Sequence, residues 1–377
     1  MKAVISAKEL KAALKSLKMI SESFQETKDT TTYFFKIEKT ALTVQVFNGV
    51  FASYKIEGEL TDIQTKPYGF DFALVSSLKF PDGTVTISFS DTTLRFSSAT
   101  FMVEVGVLVC DKIPKPKPVE ITHEFSRETF TKALDFHNYG FHHNPVESGK
   151  RPIQVSSKEG FLFFQSFDRQ VSAFSRAEYS GEHLESPLYF LPIPVNTVLR
   201  SVLADTFKIG IGKQVWGIKC GNLDTVYPNM IKPHVADFTQ ILEDVKNKPC
   251  LMLRTVGLAK ALDVLSPSVK AGKDENPKMS LCMGEKIYFE LQSAKIKAMR
   301  IELDQCKVLE KELMLEKEKI PMNYRYIKEF VDNLATLSDG EIILQWWKFK
   351  DEAAPLKGRA ISVFNKTGRY LIARLTS

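Results

Sequence analysis

A threefold internal repeat constrains this chain more than any other feature. The segment Ser6-Ala7-Lys8-Glu9-Leu10-Lys11-Ala12-Ala13-Leu14-Lys15-Ser16-Leu17 is similar to Ser126-Arg127-Glu128-Thr129-Phe130-Thr131-Lys132-Ala133-Leu134 and to Thr255-Val256-Gly257-Leu258-Ala259-Lys260-Ala261-Leu262-Asp263-Val264-Leu265. Each follows a β-type run and has the apolar spacing of an amphipathic helix. Aligning Ala13, Ala133 and Ala261 separates the copies by close to a third of the 377 residues. The later part of each copy repeats too. Leu74-Val75-Ser76-Ser77-Leu78 precedes the strand-like Thr84-Val85-Thr86-Ile87-Ser88-Phe89, and Val198-Leu199-Arg200-Ser201-Val202-Leu203 precedes Thr206-Phe207-Lys208-Ile209-Gly210-Ile211. Tyr326-Ile327-Lys328-Glu329-Phe330-Val331 stands likewise before Glu341-Ile342-Ile343-Leu344-Gln345-Trp346. One plan used three times sets the fold of the whole chain.

Alternating runs such as Ala41-Leu42-Thr43-Val44-Gln45-Val46-Phe47 and Lys286-Ile287-Tyr288-Phe289-Glu290-Leu291 have the period of two of half-buried strands. The expected fold class is therefore α+β, with two helices packed on antiparallel sheet in each copy. The alternating prolines of Lys112-Ile113-Pro114-Lys115-Pro116-Lys117-Pro118 suit neither a helix nor a central strand and mark one boundary. Val245-Lys246-Asn247-Lys248-Pro249 marks a second. Domains are expected at 1–117, 118–246 and 247–377.

Hydrophobic residues at 44% and charged residues at 25% suit a packed globule, in a chain too long for one core. The cysteines Cys110, Cys220, Cys250, Cys282 and Cys306 lack the paired spacings of a metal site or a disulfide framework, which suggests a reducing compartment. The start at Met1 runs into a Lys-rich segment without a signal-type apolar stretch, and no window reaches the length of a membrane span. A cytoplasmic protein with no membrane partner is expected.

Enzymatic chemistry finds no support. His137, His142 and His143 have no Cys pair nearby and no His-Glu-x-x-His helix, so they read as surface or loop histidines. Gly149-Lys150 and Gly212-Lys213 look like the end of a phosphate-binding loop, yet Asn144 and Phe207 stand where its first glycine is needed. The Glu/Lys-rich run from Lys307 to Lys319 reads as a charged helix or solvated strand edge, with Leu309, Leu313 and Leu315 packing. No catalytic group, metal or cofactor is expected.

In the third copy, Ile320-Pro321-Met322-Asn323-Tyr324-Arg325-Tyr326 forms a strand-to-helix turn bearing an Asn and, three residues on, a Tyr. The chain ends in Tyr370-Leu371-Ile372-Ala373-Arg374-Leu375-Thr376-Ser377. With the three α+β units, these residues resemble the bacterial β sliding clamp, the DNA polymerase III beta subunit that holds the replicative polymerase on DNA. The resemblance implies three clamp domains per chain and a head-to-tail homodimer closing a six-domain ring around duplex DNA. It also implies a pocket where polymerase and clamp loader dock short peptide motifs. The implied pocket residues are Ser166, Val171, Gln240, Ile241, Asn323, Tyr326, Leu371, Ile372, Ala373, Arg374 and Leu375. The implied dimer contacts are Phe101 and Val103 on an edge strand, with Val264 and Leu265 at the end of a helix. Ordinary core is the alternative reading for Tyr326 and for these four. Gln165-Ser166-Phe167-Asp168-Arg169-Gln170-Val171-Ser172 lacks the family's Gly-His-Arg core, the tail lacks its Met-Pro-Met-Arg-Leu ending, and Val235-Ala236-Asp237-Phe238-Thr239-Gln240-Ile241-Leu242 matches only loosely. Such divergence suggests a phage or mobile-element clamp.

The net charge of +6 permits a polyanion partner without requiring one. Lys8, Lys11, Lys15 and Lys18 recur on one helix face while Leu10, Leu14 and Leu17 occupy another. Arg127, Lys132, Arg200, Lys260, Arg325 and Lys328 occupy the corresponding helices, which in the family line the central hole. Sequence-independent attraction to phosphates would follow. A lysine stripe on one helix is equally a solvated face. Lys150 and Arg151 lie in a loop that could touch DNA or only solvent. The competing reading is a replisome scaffold or nucleic-acid-binding protein with a clamp-derived fold and no closed ring.

Overall fold

The structure is a computed structural model that describes residues 1–23, 31–38, 41–62, 66–108, 116–139, 152–167, 171–228, 250–272, 278–282, 286–292, 296–303, 307–309, 319–325, 327–328, 331–332, 341–348, 359–365 and 370–375. They group into two compact units, residues 1–131 with 193–232 and residues 132–192 with 233–377.

The repeat is realised strand for strand. The first copy has β1 (Lys2–Ser6), α1 (Ala7–Ser23), β2 (Thr32–Glu38), β3 (Ala41–Phe47), β4 (Phe51–Thr61), β5 (Tyr68–Phe70), α2 (Phe72–Ser77), β6 (Thr84–Phe89), β7 (Thr93–Ser97) and β8 (Met102–Gly106). The second has β9 (His123–Ser126), α3 (Arg127–Tyr139), β10 (Ile153–Lys158), β11 (Phe161–Phe167), β12 (Val171–Glu178), β13 (Leu188–Phe190), α4 (Pro192–Ser201), β14 (Thr206–Ile211), β15 (Val215–Cys220) and β16 (Leu223–Pro228). The third has β17 (Cys250–Arg254), α5 (Thr255–Gly272), β18 (Lys278–Cys282), β19 (Tyr288–Gln292), β20 (Met299–Glu302), β21 (Lys307–Leu309), β22 (Lys319–Asn323), β23 (Glu341–Lys348), β24 (Arg359–Asn365) and β25 (Tyr370–Leu375). Tyr324, Arg325, Ile327, Lys328, Val331 and Asp332 are helical and stand where α2 and α4 stand in the other copies. Strands β20 and β21 together stand where the long β4 stands in the first copy, β21 pairing with β17 as the end of β4 pairs with β1.

Pairing is antiparallel, and the sheets run across the repeats. In the first unit β5, β2, β3 and β4 are followed by β16, β15, β14 and β9. In the second unit β13, β10, β11 and β12 are followed by β25, β24, β23 and β17. The ladder does not stop at a repeat boundary, so the second repeat is shared between the units: β9 and β14 to β16 fall in the first, β10 to β13 in the second.

The long helices follow from their apolar stripes. Ser6 and Ser126 accept from the amides of Glu9 and Thr129 at 3.4 and 3.5 Å, placing serine oxygens at the starts of α1 and α3. Helix α1 buries Leu10, Ala13, Leu14, Leu17 and Ile20. Each large aliphatic of that set contributes about 1.5–3 kcal/mol of burial. Helix α3 buries Phe130, Ala133 and Leu134, and α5 buries Leu258, Ala261, Leu262, Leu265 and Val269. Phe35 stacks on Phe70 at 4.5 Å between centroids, and Phe130 meets Phe207 edge-on at 4.9 Å.

One helix expectation is corrected. The segment expected to be helical through Leu203 leaves the helix after Ser201, and Leu203 is 91% exposed. The charged run beginning at Lys307, read as a helix or a strand edge, opens as strand β21, and 310–318 lie outside the described residues. Among the described residues no helix is long and apolar enough to cross a membrane.

Candidate nucleic-acid and partner surfaces

Helix α1 displays the clearest basic face. Its buried stripe faces β3 and β4, which turns Lys8, Lys11, Lys15 and Lys18 to the exposed side. Lys18 lies 3.9 Å from Glu22, a loose exposed pair. Ser16 donates through Oγ to the Ser201 carbonyl at 2.9 Å, which seats the end of α4 against α1, and Arg200 on α4 is exposed. Arg127 is half-buried at the start of α3, and Lys132 follows on that helix. Lys260 is exposed on α5, and Arg325 is half-buried.

Lys328 is a correction to this set. Its side chain is 18% exposed, and Nζ donates to Asp263 at 2.9 Å and to both Asp332 oxygens at 2.5 Å. Partial burial works against its charge, yet the carboxylates of Asp332 and Asp263 win and raise its pKa above the ordinary lysine value. The ammonium ties two helical segments of the third repeat together and offers phosphate little charge. Tyr324 reinforces the joint, donating to the Leu262 carbonyl at 2.8 Å. Lys150 and Arg151 lie outside the described residues.

Several expected pocket residues are brought together within the second unit. Strand β12 pairs with β25, setting Val171 opposite Ala373, Ser172 opposite Ile372 and Ala173 opposite Leu371. Arg374 and Leu375 continue β25, which also lies against β22, whose last residue is Asn323. Gln240, Ile241 and Tyr326 lie outside the described residues. Ser166 differs from the expectation. It is buried, and its Oγ lies 2.6 Å from His137 Nδ1. The other ring nitrogen of His137 lies 3.0 Å from Ser175 Oγ. Ser166 therefore pins β11 to α3 instead of lining an open wall. His137 is correspondingly buried in the core and is not a surface histidine. His142 and His143 lie outside the described residues.

The expected dimer contacts divide. Strand β8 is an outer strand of its sheet. Phe101 precedes it half-buried with its ring 5.9 Å from Phe80, Val103 is half-buried, and Met102 between them is 66% exposed. On α5, Val264 is 55% exposed but Leu265 is fully buried. Leu265 is a correction, because the helical period carries Leu258, Leu262, Leu265 and Val269 inward and turns Val264 outward. Val256, 62% exposed, was not singled out in the sequence, although it lies two turns before Val264 on the same face. Ser268, one turn past Val264, donates to Met299 Sδ at 3.1 Å, so this face of α5 lies beside β20. Strand β20 is an outer strand of the four-stranded sheet.

Together these features define the class: a repeated α+β chain whose copies join edge to edge through continuous sheets, the DNA clamp fold. Solved structures of this fold match over the full chain. A DNA polymerase sliding clamp from Caulobacter crescentus is similar with a TM-score of 0.79 and 15% identity, over 100% of both chains. The DNA polymerase III subunit beta from Pseudomonas aeruginosa matches with a TM-score of 0.78 at 11% identity, again over 100% of both. A putative DNA polymerase III beta subunit from Eubacterium rectale gives 0.78 at 14%, over 100% of this chain and 98% of that one. No protein-family model and no curated protein matches the sequence.

Proposed function

We propose that the chain is a DNA sliding clamp, a non-enzymatic processivity factor whose copies close a ring around duplex DNA. One observation carries the reading: at the two strand positions where the repeats join one another, one strand at each end of the series, β8 and β20, is left outermost among the described residues, and the two are complementary by position. In the first repeat β4 pairs with β16 of the second; in the second, β12 pairs with β25 of the third. The counterpart of β4 and β12 in the third repeat is β20, and the counterpart of β16 and β25 in the first is β8. Neither has its second partner among the described residues. A β8-to-β20 joint between two copies completes the series, and a two-fold pair of such joints closes the assembly. Met102, exposed at the start of β8, and Val264, exposed on the helix beside β20, stand at this joint.

In this reading the domains are 1–117, 118–246 and 247–377, and the dimer holds six of them. The α1 stripe with Arg127, Lys132, Arg200, Lys260 and Arg325 faces DNA and holds phosphates without reading bases. Closure supplies retention, and weak, salt-sensitive contacts permit sliding. Polymerase and loader peptides dock where β12, β25 and Asn323 converge, with Tyr326 and Ile241 completing the pocket. The protein acts in the cytoplasm.

The test is topological. Protein diluted to monomers is concentrated on nicked circular DNA and passed through a gel-filtration column in high salt. Co-elution with the circle and loss after the circle is linearised support a clamp; equal loss or equal retention on both forms overturns it.

A further inference from the structure

The first unit contains a trough of about 540 Å³ that the ring reading does not use. Its floor is the face of β3, β4 and β16 turned away from α1, and the run 116–121 forms one wall. That wall is firmly seated. A Cβ on Gly210 would run into the Glu120 carbonyl oxygen, and one on Gly217 would lie 3.1 Å from Val119 Cγ1, so glycines in β14 and β15 let the run lie directly on the sheet. Pro116 and Pro118 stiffen it in an extended form.

The chemistry of the trough is specific. Phe51, Val119, Ile121 and Val226 line it and are each half-buried, which leaves apolar surface in reach of a ligand. The polar floor is already engaged: Thr43 donates to the Lys36 carbonyl at 3.0 Å, Thr225 to that of Ile218 at 3.3 Å, and Gln45 Nε2 to Ser53 Oγ at 3.2 Å. Lys36, Lys55 and Lys117 line the trough with one carboxylate, Asp224, and both Lys55 and Lys117 are exposed. The repeat gives the site a further meaning, which rests on the clamp reading. Phe51 pairs with Val226 across β4 and β16 as Val171 pairs with Ala373 across β12 and β25. The trough is thus built on the strand junction that is equivalent, by the repeat, to that of the expected partner pocket.

We propose that this trough is a second peptide-docking site. It takes an extended acidic segment of a partner protein, seating one aromatic or branched aliphatic side chain on Phe51, Val119, Ile121 and Val226 and its carboxylates on Lys55 and Lys117. Charge complementarity and an anchor-sized apolar pocket are the two features such recognition needs.

The test uses full-length protein and fluorescence anisotropy of a labelled ten-residue peptide of alternating Asp and Ser with a central Phe-Val pair. A Lys-for-Asp counterpart and a ten-nucleotide oligothymidine serve as alternative probes. The expected result is saturable binding of the acidic peptide, weakened at least about tenfold by Lys55→Glu with Lys117→Glu and similarly by Val226→Asp, with the basic peptide at least about tenfold weaker. Tyr326→Ala leaves it unchanged. Absence of saturable binding up to about 1 mM, indifference to the charge reversal, or preference for the basic peptide or the oligonucleotide overturns the inference. Retention on circular DNA reads the ring separately, so either claim can fail while the other stands.

Discussion

Helices α1 and α5 are the first helices of the first and third repeats, and each buries one apolar stripe, yet their outer faces differ. Helix α1 turns out Lys8, Lys11, Lys15 and Lys18, whereas α5 turns out Val256, Lys260, Asp263 and Val264. Asp263 is committed to Lys328. The same helix position in a repeat thus presents a basic surface at one end of the chain and a nearly neutral, partly apolar one beside an outer strand at the other. The inward stripe preserves the fold; the outward residues are open to assignment, and under the proposed function they divide between attraction to phosphate and contact with another copy.

This comparison breaks first at the apolar end. Met102→Glu with Val264→Glu puts charge on two exposed residues beside β8 and β20. Self-association is expected to weaken by about a hundredfold or more, near 3 kcal/mol, in sedimentation equilibrium, with the monomer's thermal midpoint little changed. Unaltered association would remove these strands from the interface. At the basic end, Lys8→Ala, Lys11→Ala and Lys15→Ala together should lower the slope of log affinity for duplex DNA against log salt by about 2.7, at about 0.9 for each phosphate no longer neutralised. Lys328→Ala sharpens the contrast: the salt slope stays put while chemical denaturation shows a loss of about 1–2 kcal/mol, because Asp263 and Asp332 lose the cation between them. The smallest effect is expected at the exposed Arg95–Glu104 pair linking β7 to β8, where Nη2 to Oε1 is 2.5 Å. Arg95→Ala should cost no more than about 0.5–1 kcal/mol in the same experiment.

The sequence shows much of the fold because the repeat is written in local patterns. The helices around Ala13, Ala133 and Ala261, the strands Ala41–Phe47 and Thr84–Phe89 and the α+β class all follow from periodicity. Side-chain assignments that depend on distant partners do not. Nothing near Lys328 shows that Asp263 will meet it from another helix, and Ser166 reads as a pocket residue until His137 is found against its hydroxyl. Val264 and Leu265 read as one apolar pair, and only the phase fixed by Leu258 and Leu262 separates an exposed residue from a core one. The outer positions of β8 and β20 follow from pairings between repeats, which local patterns do not specify.

The central claim is ring closure, and negative-stain electron microscopy of the purified protein across a concentration series tests it most directly. The account predicts six-lobed rings with a central hole that give way to three-lobed arcs on dilution. A compact globule, or open chains that lengthen with concentration, would contradict it.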